Sequence, residues 1–80
     1  MLITEKGSKF FLNKSGQYHR LDGPAIEWVF GANEYFKNEI RHRLNGAAYE
    51  NKDEKQYWFE GKQYNESEYW IVSKEIENLK

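Results

Sequence analysis

Two histidines, each followed by an arginine, are the residues whose type and spacing invite a chemical reading. His19-Arg20-Leu21-Asp22-Gly23-Pro24-Ala25 returns 23 residues later as His42-Arg43-Leu44-Asn45-Gly46-Ala47-Ala48, identical at five of seven positions. An imidazole can ligate a metal or shuttle a proton. A metal needs three or four ligands, usually with a close local pair. Neither histidine has a second His, a Cys or a carboxylate at a recognisable ligand spacing. If each copy contributes two strands, equivalent histidines lie ~10 Å apart, too far for one ion. A His-Arg pair repeated together with its neighbours reads instead as a structural contact within and between copies. The repeat-structural set is therefore His19, Asp22, Gly23, His42, Asn45 and Gly46. Asp22 can reach Arg20 across the loop, an exposed pair that contributes under ~1 kcal/mol. No Ser-His-Asp order, glycine-rich phosphate loop or paired-carboxylate signature is present. The reading is of a non-enzymatic chain with no catalytic residues, metal or cofactor.

The aromatic residues carry more information. Five Phe, six Tyr and three Trp make up 18% of the chain, and in so small a domain most must build the core. Trp28, Tyr35, Phe36, Tyr57, Trp58, Phe59, Tyr64 and Trp70 are also able to stack on a ligand. Neighbours along a strand point to opposite faces, so Tyr57 and Phe59 cannot share a face with Trp58. If a helix covers one face, the other presents rings to solvent or to a partner. Rings beside Arg20, Arg41 and Arg43 have the composition of a protein-interface hot spot, which favours Trp, Tyr and Arg. The expected binding residues are Arg20, Trp28, Tyr35, Phe36, Arg41, Arg43, Trp58 and Trp70.

Eighty residues make a single domain, residues 1–80. A chain of this size buries only ~60–65% of its unfolded surface. It has no Cys and a net charge of −1. Near-neutrality disfavours nucleic acid, whose binding depends on Lys and Arg neutralising phosphates. No apolar run of membrane-spanning length and no leader pattern is seen, so the expectation is a cytoplasmic protein with no membrane partner.

The elements that must position these residues follow from the same pattern. Leu2 to Thr4 and Lys9 to Asn13 read as strands about Lys6-Gly7-Ser8, and Gln17 to Arg20 as a short strand after Lys14-Ser15-Gly16. Asp22-Gly23 and Asn45-Gly46 read as hairpin turns. Ala25 to Phe30 reads as a strand with Ile26, Trp28 and Phe30 on one face. Glu34 to Lys37, Ile40 to Arg43, Ala48 to Asn51, Lys55 to Glu60 and Lys62 to Tyr64 complete the strands. Phe10-Phe11-Leu12-Asn13 aligns with Tyr35-Phe36-Lys37-Asn38 as the lead-in to each copy. A third copy, Tyr57 to Tyr64, places Tyr64 in the histidine slot. Asn65-Glu66-Ser67-Glu68 is a capping box, with Tyr64 and Tyr69 placed as a hydrophobic staple. Tyr69, Val72, Ile76 and Leu79 then form one helical stripe. The predicted fold is mainly β (α+β): an antiparallel sheet of repeated β-hairpins, with copies at about 10–33, 34–55 and 56–64 and an amphipathic capping helix over 66–79.

The H-R-x-[D/N]-G-P-A core at His19–Ala25 and His42–Ala48, with aromatic lead-ins at Phe10, Tyr35 and Tyr57, resembles short hairpin repeats of small tailed-bacteriophage and bacterial proteins. About 55 of the 80 residues take part. By period and β character it is also similar to MORN repeats, without their glycine pattern. The resemblance implies a repetitive antiparallel sheet and a phage origin, and with it the host cytoplasm as location. It implies no settled activity; together with the aromatic and Arg-bearing sheet face, the expectation is a small phage-type effector that binds a host protein, such as a defence component, through that face. The alternative is a binder of RNA, single-stranded DNA or a nucleotide, with Arg20, Lys37, Arg41 and Arg43 on phosphates. A homodimer formed by strand pairing at an open sheet edge is a third reading.

Overall fold

The computed structural model describes residues 1–78. In chain order these form β1 (Leu2–Glu5), β2 (Ser8–Phe11), β3 (Ile26–Glu27), β4 (Asn33–Glu34), β5 (Phe36–Lys37), β6 (Ile40–Arg41), β7 (Tyr49–Glu50), β8 (Lys55–Phe59), β9 (Lys62–Tyr64) and α1 (Glu66–Asn78). The fold is mainly antiparallel β with one C-terminal helix. Seven strands make one sheet in the order β1-β2-β3-β4-β7-β8-β9, and β5 and β6 form a separate hairpin between β4 and β7. The molecule is a slab, 38 × 31 × 17 Å.

Three hairpins close on two-residue turns with both φ angles positive: Lys6–Gly7 (50° and 89°), Asn38–Glu39 (48° and 69°) and Glu60–Gly61 (48° and 83°). Such turns match the right-handed twist of the strands that they join. A left-handed Glu costs ~1 kcal/mol or more. Glu39 offsets that cost by a reciprocal pair: its N–H donates to the Tyr18 carbonyl at 2.8 Å, and its carboxylate accepts from the Tyr18 N–H at 2.6 Å.

The Asp-Gly and Asn-Gly segments are not hairpin turns. Phe11 accepts from the His19 N–H at 2.9 Å and donates to the Ala25 carbonyl at 2.8 Å. Tyr35 does the same for His42 (3.1 Å) and Ala48 (2.6 Å). Both ends of each seven-residue motif therefore pair with one residue of the neighbouring strand. The chain leaves the strand, loops out and re-enters it in the same direction. The dipeptide signal was real for a tight bend, but pairing on both sides of it is what makes a hairpin.

The register of the first copy also differs from the aligned lead-ins. Phe11, not Phe10, is the counterpart of Tyr35. The excess is one residue, absorbed between the bridged pair Leu12 and Tyr18, where the second copy has the pair Phe36 and Arg41. The strand expected over Ala25 to Phe30 stops at Glu27. Trp28 accepts from the Gly31 N–H at 2.9 Å, so Trp28 to Ala32 turn the chain and Phe30 stands at the tip.

The helix is capped as expected in one half: the Asn65 side chain accepts from the Glu68 N–H at 2.9 Å. The return bond differs, since Glu68 accepts from Asn65 Nδ2 at 2.5 Å rather than from the backbone. Tyr69 is fully buried, packing with Ala47 and Tyr57 and with the flanking Phe59 and Tyr64. Ser73, a polar residue on the buried face, donates to the Leu44 carbonyl at 2.5 Å. Val72 and Ile76 are half-buried; Leu79 lies outside the described residues.

Candidate functional site

Strand register assigns each side chain to a face. Ile3, Phe10, Ile26, Glu34, Tyr49 and Gln56 are successive cross-strand partners and share one face. Two residues on from members of that row stand Trp28, Phe36 and Trp58, on the same side. Phe11, Tyr35 and Tyr57 belong to the opposite face, where α1 packs on β8 and β9. The sheet therefore has a helix-bearing face and an aromatic one.

The aromatic face is continuous. Phe30 stacks on Trp28 (5.6 Å, 19°), Trp28 meets Phe10 edge-on (5.4 Å, 90°), and Phe10 and Phe36 each pack against Tyr18 (6.3 and 5.6 Å). The Arg41 guanidinium then lies 5.1 Å from the Phe36 ring and 5.5 Å from both Tyr49 and Trp58. A polar chain pins these groups. The Trp28 indole donates to Glu34 (2.6 Å), Arg41 pairs with Glu34 (2.5 Å) and donates to Gln56 (3.4 Å), and the Trp58 indole donates to Gln56 (3.1 Å). Rings on this face are half-buried, whereas Val29 and Phe30 at its end are 65% and 73% exposed.

On the other face the repeated motif explains its own composition. Arg20 folds back onto the Phe11 ring at 3.9 Å and donates to the Pro24 carbonyl at 3.2 Å. Arg43 lies over Tyr35 at 4.0 Å and donates to the Ala47 carbonyl at 3.0 Å. Each arginine thus plugs its own loop, against the ring whose backbone holds both ends of that loop. A Cβ on Gly46 would stand 2.8 Å from the guanidinium carbon and force the arginine to shift, and one on Gly23, at 3.1 Å, would crowd it. The alanine at the motif's end is fully buried in both copies. His19 and His42 reach forward, accepting through Nδ1 from the N–H of Asn38 (3.0 Å) and Glu60 (2.9 Å) in the next copy's turn.

The two arginines differ in charge balance. Arg20 is paired with Asp22 (3.1 Å) and Glu27 (2.7 Å). Burial alone would lower its pKa, but the bonds and charges of Glu27 and Asp22 outweigh that and raise it. Arg43 has no ion pair among the described residues: Asn45 stands where Asp22 does, and Glu50, the counterpart of Glu27, makes none with it. His42, packed on Phe59 at 4.8 Å, is held below its ordinary pKa by burial and by Lys37, against the pull of Glu60.

Of the expected binding residues, Trp28, Phe36, Arg41 and Trp58 come together on the aromatic face. Arg20, Tyr35 and Arg43 do not join them; they lie on the opposite face, which corrects the grouping of the three arginines on one surface. Trp70 is on α1, 43% exposed, with its ring against Tyr57 (6.1 Å) and Tyr69 (5.1 Å). Sequence reasoning missed Glu34 and Gln56, the acceptors that order the face, and the exposed Val29 and Phe30. The alternation of Glu34 with Tyr35 and of Gln56 with Tyr57 was the available signal, but pairing them across strands needs the register. No group of three or more metal-ligating side chains occurs among the described residues, and no described helix is long and apolar enough to cross a membrane. Comparison of the chain with protein-family models, curated proteins and solved structures returned no match.

Proposed function

We propose that this chain is a non-enzymatic interaction protein that binds a protein partner through the aromatic face. One observation carries the reading: the helix packs on the opposite face, leaving the rings from Phe30 to Trp58, with Arg41 among them, uncovered. Tryptophan, tyrosine and arginine dominate the residues on which protein interfaces depend. Here they are already fixed by Glu34 and Gln56, so less side-chain freedom is lost on binding. The one arginine on this face is neutralised by Glu34. A strand of nucleic acid laid across it would find this arginine already paired, which favours a protein over RNA or single-stranded DNA on this face. The resemblance to phage hairpin repeats makes a host protein, such as a defence component, the partner of choice. The test is affinity capture from bacterial lysate with the wild type and with Trp58→Ala. A protein retained by the first and lost by the second, with unchanged circular dichroism, supports the reading. Equal retention by both removes it.

A further inference from the structure

The second copy of the motif departs from the first at the carboxylate that would neutralise its arginine. Asp22 becomes Asn45, and Glu50 does not pair with Arg43. This change falls beside a cleft of about 500 Å³ between the two motif loops, lined by Tyr35, Lys37 and both loops and reaching Phe36. Among the described residues the cleft is lined by Arg20, Lys37 and Arg43 with one carboxylate, Asp22, already engaged by Arg20. Lys37 is exposed and makes no ion pair among the described residues. Among the described residues, a chain of net charge −1 thus gathers three cations against one acid in one concave place.

The cations are also positioned. Arg43 is clamped between the Tyr35 ring and the Cα of Gly46, with one N–H on the Ala47 carbonyl, leaving other guanidinium donors to spare. His42 lines the same cleft, and because its Nδ1 accepts from Glu60, its proton sits on Nε2 as a neutral donor. Fixed guanidinium, mobile ammonium and neutral imidazole donor together match a compact dianion with several acceptor oxygens. The volume lies within the range of small-molecule sites.

We infer that this cleft binds a small phosphomonoester through Arg43, Lys37 and His42. The site is independent of the protein partner proposed above, since Arg43 and Lys37 take no part in the aromatic face. A free nucleoside monophosphate and a sugar phosphate carry the same recognised group. The test is amide NMR titration of the full chain with ribose 5-phosphate, AMP, adenosine and inorganic phosphate. Saturable shifts at Lys37, His42 and Gly46 are expected with the three phosphates and none with adenosine. Tighter binding of AMP than of ribose 5-phosphate identifies a nucleotide as ligand; equal affinity identifies the sugar phosphate. Asn45→Asp, which restores the carboxylate that the first copy already accommodates, weakens AMP about tenfold, and Lys37→Gln weakens it severalfold. Absence of shifts at about 10 mM AMP, adenosine binding as well as AMP, or wild-type affinity in Asn45→Asp overturns the site.

Discussion

The Nδ1 of His42 lies 2.9 Å from the backbone nitrogen of Glu60 and accepts its N–H, tying the second copy to the left-handed turn of the third. His19 repeats the contact on Asn38 at 3.0 Å. The bond needs a lone pair on Nδ1. A protonated imidazole would place a second donor against the N–H and lose it.

Stability should therefore depend on His42. Burial, then Lys37, depresses its folded pKa below 6.5. Such a base contributes its full stability above the unfolded value and loses it as pH falls from about 6.5 toward the folded value, because the unfolded chain takes up the proton first. The slope from one proton cannot exceed about 1.4 kcal/mol per pH unit. His42→Asn keeps an acceptor that does not titrate. Urea denaturation between pH 7.5 and 5.5 should show a smaller fall for this variant than for the wild type.

Gly46 faces the clamped arginine. Gly46→Ala sets a Cβ 2.8 Å from the Arg43 guanidinium carbon and should cost about 1–3 kcal/mol. In an Arg43→Ser background most of that cost should vanish, and a double-mutant cycle in urea reads the difference.

Tyr69 joins the helix to the second motif loop. Its hydroxyl donates to the Arg43 carbonyl and accepts from the Gly46 N–H at 3.2 Å. Tyr69→Phe strips both groups of this partner and should destabilise by about 1–3 kcal/mol. Tyr64→Phe, whose hydroxyl has no hydrogen bond among the described residues, should stay within about 0.5 kcal/mol of wild type. Thermal denaturation separates the two.

Glu34 holds the aromatic face in order. Its side chain is 12% exposed and serves both Trp28 and Arg41. Glu34→Ala leaves a half-buried arginine without its counter-charge and should cost about 2 kcal/mol, with a shift in tryptophan emission as the indoles lose their acceptor network. An unshifted emission would show that the rings are held by packing alone.

The aromatic content, the 23-residue repeat and the capped helix were legible because each is a local pattern: a run, a spacing, a cap. The motif loops were not. Asp22-Gly23 marks a bend, but whether the chain then reverses or re-enters its strand depends on Phe11, ten or more residues away, bonding both His19 and Ala25. The same non-local pairing hid the one-residue slip between Phe10 and Phe11, and a slip of one exchanges faces. Arg41 and Arg43, two apart, would share a face of an unbroken strand, but β6 ends at Arg41 and Arg43 folds back over Tyr35 while Arg41 lies over Phe36.

Affinity for the captured protein, measured for two surface variants, tests the proposed interface most directly. Val29→Ser combined with Phe30→Ser removes the exposed end of the aromatic face, while Lys37→Gln alters only the cleft. The account predicts at least about a hundredfold weaker binding for the first and wild-type affinity for the second. Undiminished affinity in the double variant, or a loss confined to Lys37→Gln, would contradict it.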